Sequence, residues 1–185
     1  PPEIINVVGF LQSLLPEIQP RVVKPLDGLK VACYYGCLLL RPHKVTRFDD
    51  REQPESMEQV CAAVGATPVA WNKRIECCGA GFSLSRTGSV IRMGREILDD
   101  ARAAGAEAVV VGCPMCHSNL DMRQPAMNRG QAGAGALPVL YITELVGLAM
   151  GLDPKAMGLQ RHYVSTQPLL DRLSTAVAVA EGEVS

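Results

Sequence analysis

The segment AEAVVVGCPMCHSNLD, residues 106–121, carries the pattern that decides the fold. It contains three consecutive valines, as in a strand that is buried on both faces. Pro114 then stands where a following helix would begin. A buried strand that runs directly into a helix is the repeating unit of an α/β layer protein.

The same alternation extends along the chain in both directions. Further strands are predicted at 28–35, 67–71 and 137–142, beside the one at 106–113. Helices are predicted at 4–15, 54–66, 87–106, 114–127, 143–152 and 167–180, and a loop at 129–136. Strands separated by helices pair in parallel. The sequence therefore predicts an α/β fold with an open, mostly parallel, four-stranded sheet flanked by helices.

The predicted elements divide the chain into three parts. Residues 1–27 form a linker and a helix, residues 28–165 the main domain, and residues 166–185 a helical tail. The chain begins without Met or a signal peptide, so we expect a processed chain or a piece of a longer one. The longest apolar run, 136–152, is interrupted by Pro138 and Glu144 and predicts no membrane span.

Composition narrows the class of function. The chain has 18 basic and 19 acidic residues and no basic face, which argues against nucleic acid as a partner. Its seven cysteines are an odd number, and they cluster in sequence. Without a secretion signal, this pattern favours reduced thiols that bind metal in the cytoplasm over a disulfide framework.

Three groups of cysteines stand close to predicted strand ends. Ligands collect outside the carboxyl ends of parallel strands, so these groups can meet at one edge of the sheet. The cysteines predicted to converge are Cys37, Cys77, Cys78, Cys113 and Cys116.

The adjacent pair, Cys77 and Cys78, indicates what the thiols hold. Neighbouring Cα atoms lie about 3.8 Å apart, whereas a relaxed disulfide needs about 4.4–6.8 Å. Zinc and a cubane iron–sulfur cluster each take four ligands. A fifth thiol therefore suggests a cluster that is not an ordinary cube. A redox-active CPMC dithiol, as in glutaredoxins, would leave three cysteines unexplained.

Several stretches together resemble one family. YYGCLLLRP (34–42), ECCGAGFSLS (76–85) and GCPMCHSNLD (112–121) are similar to the cysteine-rich CCG domains of heterodisulfide reductase B subunits and their bacterial relatives. LPVLYITELVGLAMGL (137–152) and GLQRHYV (158–164) extend the resemblance. Members usually carry two CCG domains, and this sequence resembles the C-terminal one.

The resemblance implies a function as well as a fold. It implies a noncubane [4Fe-4S] cluster bound by Cys37, Cys77, Cys78, Cys113 and Cys116. It also implies two-electron reduction of a disulfide, or oxidation of thiols, between the two clusters of a complete subunit. Electrons would come from an iron–sulfur subunit and a flavin subunit. The isolated chain is expected to be inactive without the first CCG domain and these partners.

Two alternatives stay open. The chain could be an electron-transfer CCG subunit of another oxidoreductase, of the lactate or glycolate oxidase type. It could also be a non-catalytic interaction domain stabilised by zinc, and air could leave zinc or no metal in a former cluster site.

Other residues receive weaker predictions. His117 follows the last thiol and is a candidate hydrogen-bond donor to a cluster sulfur or a substrate thiolate. Cys33 is either a further ligand or a buried strand residue, and Cys61 is a buried structural thiol. Arg41 and Arg86 either hold an anionic substrate group or are solvated. Gly79 and Gly81 allow the backbone to approach the cluster closely. His43 and His162 receive no assignment.

Overall fold

The centre of the protein is a parallel sheet. The computed structural model describes residues 4–130 and 135–182, with side chains up to residue 175. In this part of the chain the strands are β1 (Lys30–Tyr34), β2 (Thr67–Pro68), β3 (Ala108–Val111) and β4 (Val139–Tyr141). Their order is β2-β1-β3-β4, and every pair is parallel. The predicted four-stranded α/β fold is thereby confirmed.

Helices cover both faces of this sheet. In chain order they are α1 (Val7–Ser13), α2 (Leu15–Ile18), α3 (His43–Thr46), α4 (Ser56–Ala63), α5 (Thr87–Ala103), α6 (Pro114–Met122), α7 (Gln124–Met127), α8 (Ile142–Ala149), α9 (Pro154–Met157) and α10 (Gln167–Gly182). None of the helices in the described ranges is long and apolar enough to cross a membrane.

The two faces of β1 point into two separate apolar cores, because side chains alternate along a strand. Val31 and Cys33 pack into the core that includes residues of α1, α4 and α8. Ala32 and Tyr34 pack into the other core, with residues of α5, α6 and α7. This alternation determines which cysteines can meet.

Most element boundaries differ from the sequence prediction by a few residues, and the short helices α2, α3 and α9 were not predicted. Two of the differences have a clear local cause. β2 contains only two residues instead of five, since it is an edge strand in which Pro68 has no N–H to donate. The predicted helix 114–127 is interrupted after Met122, and Pro125 occupies the first turn of the helix that follows. The predicted loop at 129–136 lies partly outside the described residues.

Candidate metal centre

The cysteine groups lie at the carboxyl edge of the sheet, around the point where the chain changes direction. From β1 the chain moves outward to β2, and it then returns past β1 to form β3 and β4. A crevice opens at such a switch point, outside the carboxyl ends of the strands. Cys37 follows β1, Cys77 and Cys78 follow β2, and Cys113 precedes the first turn of α6 after β3.

Hydrogen bonds join the first two cysteine loops. The backbone N–H groups of Tyr35 and Gly36 donate to the carbonyl of Arg74, at 2.9 and 3.2 Å. The Tyr34 hydroxyl donates to the carbonyl of Glu76 at 2.6 Å. The loop that carries Cys77 and Cys78 is thus fixed against the end of β1.

The Arg74 side chain extends this contact to α4. It lies 3.8 Å from Glu58, which also accepts a short hydrogen bond from the Tyr35 hydroxyl. Burial raises the pKa of the Glu58 carboxyl, against the lowering effect of the Tyr35 hydrogen bond. Glu58 therefore couples α4 to both cysteine loops.

The sulfur atoms themselves are close together. Cys78 Sγ lies 3.5 Å from Cys116 Sγ, and both residues are buried. Cys37, Cys77 and Cys113 are half-buried. Burial raises the pKa of Cys37, and the adjacent charge and hydrogen bond of Cys77 raise it further. The structure thus brings the thiols of all three loops to one edge.

Hydrogen bonds with Cys116 lower the pKa of two of these thiols. The hydrogen bond with Cys116 lowers the pKa of Cys113 to about 5. A second bond with Cys116 lowers the pKa of Cys78 to about 6, with help from Asn119. The pKa of Cys116 is raised, because its proton is held by Cys113 and Cys78. Thiolates in this arrangement are suited to bind a cation.

Gly36 makes room for Cys116. Its φ is +62°, and a Cβ atom there would lie 2.9 Å from Cys116 Sγ. Gly79 donates its backbone N–H to Cys77 Sγ at 3.3 Å, and its own Cβ position faces Val90 and Met93 of α5. Gly81 has open space where a Cβ would stand.

A buried polar group supports Cys78 from α6. The Asn119 amide nitrogen lies 3.3 Å from the Cys78 carbonyl and 3.7 Å from Cys78 Sγ. The amide oxygen of Asn119 accepts hydrogen bonds from Ser83 at 3.1 Å and Arg123 at 3.2 Å. Asn119 is therefore held with its amide N–H group facing the sulfur. It was not predicted from the sequence, although it stands on the first helical turn after Cys116.

The remaining two cysteines lie in the other core. Cys33 and Cys61 are fully buried, and their sulfur atoms lie 3.7 Å apart. Cys61 is therefore a buried core thiol, as predicted. Cys33 points to the opposite face of the sheet from Cys78 and Cys116, as the alternation along β1 requires.

His117 is buried beside the cysteines and faces a polar cluster. Its ring stacks on Tyr141 with centroids 4.3 Å apart, and its Nε2 lies 3.0 Å from the Val139 carbonyl oxygen. Its ring also meets the edge of the His162 ring, at 4.6 Å between centroids. Nε2 of His162 lies 3.0 Å from Glu144 Oε1. His162, unassigned from sequence, is thereby placed next to the candidate centre.

The pKa values of His117 and His162 are shifted in opposite directions. Burial lowers the pKa of His117, with a smaller effect from neighbouring His162. The hydrogen bond with Glu144 raises the pKa of His162. The pKa values of the two neighbouring imidazoles are therefore moved apart.

The rim of the cysteine edge is apolar and exposed. Leu38, Phe82, Leu84 and Met115 are 65%, 46%, 100% and 45% exposed. Arg41 and Arg86 are also exposed, next to the first two cysteine loops. His43 lies on the surface in α3, away from the other histidines.

Comparison with known proteins gives consistent matches. Residues 31–121 match the family described as the cysteine-rich domain, CCG. The chain is 34% identical to the 8-methylmenaquinol:fumarate reductase membrane anchor subunit of Wolinella succinogenes, over 90% of this chain and 59% of that protein. It is also 34% identical to the B subunit of the ferredoxin:CoB-CoM heterodisulfide reductase of Methanosarcina mazei, over 92% of this chain and 58% of that protein.

A solved structure supports the fold alone. A hypothetical protein from Helicobacter pylori superposes with a TM-score of 0.61 at 12% identity, over 82% of this chain and 28% of that one.

The comparisons agree with the geometry of the site. The matched range, 31–121, begins in β1 and ends in α6, so it contains all the cysteines at the carboxyl edge. The relatives are subunits of reductases, and the chain spans a little over half of their length. Residues 31–121 of this chain are therefore similar to the CCG family of cysteine-rich domains.

Proposed function

We propose that this chain binds a noncubane [4Fe-4S] cluster and forms part of a heterodisulfide-reductase-like B subunit. The observation that carries the proposal is the convergence of cysteine thiols from three loops at one sheet edge. Iron–sulfur clusters are held by cysteine thiolates, so this donor set fits the group. The proposed ligands are Cys37, Cys77, Cys78, Cys113 and Cys116. When bound, the cluster would supply electron transfer and iron sites for a substrate sulfur.

The chain's own residues would hold and tune this group. Cys78 and Cys116 belong to the same buried core as Tyr34 and Trp71, which excludes water from one side. Gly79 and Asn119 direct N–H groups at the sulfurs of Cys77 and Cys78. Hydrogen bonds to ligand sulfurs are one of the means by which proteins set cluster potentials.

The proposed reaction is two-electron reduction of a disulfide, or the reverse oxidation of two thiols. Two features support it: the similarity to the B subunit of a CoB-CoM heterodisulfide reductase, and the partial exposure of Cys37, Cys77 and Cys113 at the edge. The apolar rim would accept the carbon chain of a thiol. The electron donors proposed are an iron–sulfur subunit and a flavin subunit.

The test is anaerobic reconstitution of the chain with iron and sulfide. We expect about four iron and four sulfide per chain, as in a [4Fe-4S] cluster. Single Cys→Ser changes at the five proposed ligands should alter or abolish the cluster. Cys61→Ser is the matched control, because Cys61 is a buried thiol in the other core. One zinc per chain without sulfide would contradict the proposal and favour a zinc-stabilised domain.

A second candidate is electron transfer without disulfide chemistry. The relative from Wolinella succinogenes, a subunit of a quinol:fumarate reductase, favours it. The two candidates differ in their response to thiols. A substrate-binding cluster should change its electron paramagnetic resonance spectrum when a small thiol is added, but not when the corresponding alcohol is added. A purely electron-transferring cluster should respond to neither.

A further inference from the structure

Behind the cysteines, three polar side chains from separate elements converge. His117 comes from α6, Glu144 from the first turn of α8, and His162 from the segment after α9. One potential ligand atom of each lies within 4.8 Å of those of the other two. His117 is 8% exposed, and the side chains of His162 and Glu144 are 6% and 11% exposed.

The hydrogen bonds of these three side chains do not satisfy all of their buried polar atoms. Nδ1 of His162 is buried and has no hydrogen-bond partner in the described part of the chain. An unpaired buried atom of this kind is costly, so native proteins rarely leave one without a water or an ion. Removing a carboxylate such as Glu144 from water is also costly unless it pairs with a cation.

The donor set matches that of a metal ion. Two imidazoles and one carboxylate are ligands that proteins use for zinc, with a fourth position left open. Imidazole nitrogen also suits copper, nickel and iron. No thiol belongs to the set, so it is chemically distinct from the cysteine centre.

The surrounding contacts resemble those of metal-bound histidines. Such rings usually give their second nitrogen to a backbone carbonyl or a carboxylate. His117 Nε2 lies 3.0 Å from the Val139 carbonyl oxygen, which leaves its Nδ1 for an ion. An ion held by all three side chains would replace the hydrogen bond between His162 Nε2 and Glu144 Oε1, which lie 3.0 Å apart.

We propose that His117, Glu144 and His162 form a second, mononuclear site for a divalent transition metal ion. The ion would join α6, which carries Cys116, to α8 and to the segment around His162. It would thereby fix the helix on which part of the cysteine centre is built. This site involves none of the proposed cluster ligands, but its test rests on the proposed function, because iron and sulfide must first occupy the thiols.

The test uses Zn²⁺ as the probe on the full chain, after its thiols have been loaded with iron and sulfide. After addition of Zn²⁺ and desalting, we expect one zinc per chain. X-ray absorption at the zinc edge should give nitrogen or oxygen neighbours at about 2.0–2.2 Å and no sulfur neighbour at about 2.3 Å. In a sample that carries about four iron atoms per chain, a sulfur shell or no retained zinc would overturn the proposal, whereas a sample without iron contradicts the proposed function instead.

Variants assign the site to these side chains. His162→Ala should weaken zinc binding by more than about 100-fold, beyond the usual effect of outer-shell changes. Glu144→Gln is a near-isosteric second variant, and its Oε atom can still accept the Tyr141 N–H that Glu144 binds at 2.8 Å. It should weaken binding by at least about 10-fold. His43→Ala is the control, because His43 is exposed in α3.

Iron content and circular dichroism verify the fold of each variant. If His162→Ala does not fold, Glu144→Gln carries the test. Unchanged zinc affinity in a folded Glu144→Gln or His162→Ala variant would show that the three side chains form only a hydrogen-bonded cluster.

Discussion

Cys77 and Cys78 are neighbours in sequence but differ in their surroundings. Cys77 is half-buried, and its sulfur accepts the Gly79 N–H. Cys78 is buried between Cys116 and Asn119. Side chains of adjacent residues leave the backbone in different directions, so the two thiols must meet different parts of any cluster.

This difference predicts that the two serine variants are not equivalent. Cys78→Ser should abolish assembly of the cluster, because it removes the buried sulfur that lies 3.5 Å from Cys116 Sγ and faces the Asn119 amide. Cys77→Ser should allow a changed cluster to form with an altered paramagnetic resonance spectrum, since hydroxyl is a poorer iron ligand at the half-exposed position. Iron and sulfide content measure both. Two variants that each rebuild an ordinary cubane would contradict the noncubane proposal.

Removing the Asn119 amide should change the reduction potential of the proposed cluster. Asn119→Leu keeps a similar volume but removes the N–H that faces Cys78 Sγ. A hydrogen bond to a charged group contributes about 1.5–3 kcal/mol, so we expect the potential of the proposed cluster to fall by several tens of mV. Redox titration followed by electron paramagnetic resonance measures it.

Ser83→Ala is the matched control for this variant. It removes the hydroxyl that contacts the Asn119 oxygen but leaves the N–H on the sulfur side, so its potential should stay near that of the wild type. Equal potentials in the wild type and Asn119→Leu would show that Asn119 only fills space.

At the level of single residues, the sequence was most informative for the cysteines, because both their metal-binding chemistry and their positions after strands indicated the site. The convergence of Cys37 with the later cysteines could be predicted because each group follows a strand. His162 could not be assigned, because it meets Glu144 and His117 across long sequence separations and no strand end or motif marks it. The exclusion of Cys33 from the edge depends on the exact register of β1, which sequence patterns leave uncertain by a few residues.

The turn after β1 permits a matched glycine experiment. Gly36→Ala would place a Cβ atom 2.9 Å from Cys116 Sγ in a backbone with φ of +62°. We expect a loss of stability of about 1–2 kcal/mol from the left-handed backbone, together with a reduced iron content. Chemical denaturation and iron analysis measure the two effects.

Gly28→Ala isolates the backbone effect. Gly28 also has a positive φ, of +74°, but nothing lies within 4 Å of its Cβ position. This variant should lose similar stability and keep its full iron content. Equal iron content in the two variants would show that Cys116 does not need the space at Gly36.

Glu58 on α4 should make the folding stability of the protein depend on pH. Its folded-state pKa is raised from 4.5, chiefly by burial. A raised carboxyl pKa gives a contribution to stability that is complete below pH 4.5 and is lost as pH rises through the folded-state value. Glu58→Gln removes this titration and keeps an acceptor for the Tyr35 hydroxyl.

We therefore expect Glu58→Gln to gain stability relative to the wild type as pH rises above 4.5. Urea unfolding of both proteins across the acidic and neutral range measures the difference. A difference that does not vary with pH would show that Glu58 has the same pKa in the folded and unfolded chains.

Element types were predictable, but lengths were less so. The valine-rich stretch around β3 predicted a strand because strands buried on both faces need continuous apolar sequence. The break between α6 and α7 depends on a single proline, and the short β2 on a proline at the edge. Both are local effects that compete with an otherwise regular apolar pattern.

At the scale of the whole molecule, we expect the chain to bind its proposed cluster without catalysing the proposed reaction. The relatives extend well beyond the region that this chain matches. We expect the 185-residue chain to bind its proposed cluster but not to oxidise a reduced viologen dye with a disulfide. A complete homologous subunit with two CCG domains, assayed with its partner subunits, is the positive control. Turnover by the isolated chain would show that one CCG domain is sufficient.

The strand order also has a consequence for biosynthesis. The thiols follow β1, β2 and β3, and β3 joins the sheet beside β1 only after the chain has passed through β2 and α5. A ribosome that has released only the first half of the chain exposes Cys37, Cys77 and Cys78 without Cys113 and Cys116. All five proposed ligands are therefore present only once the start of α6 has emerged, so a scaffold that delivers iron and sulfide would act on a chain that already contains β1, β2 and β3.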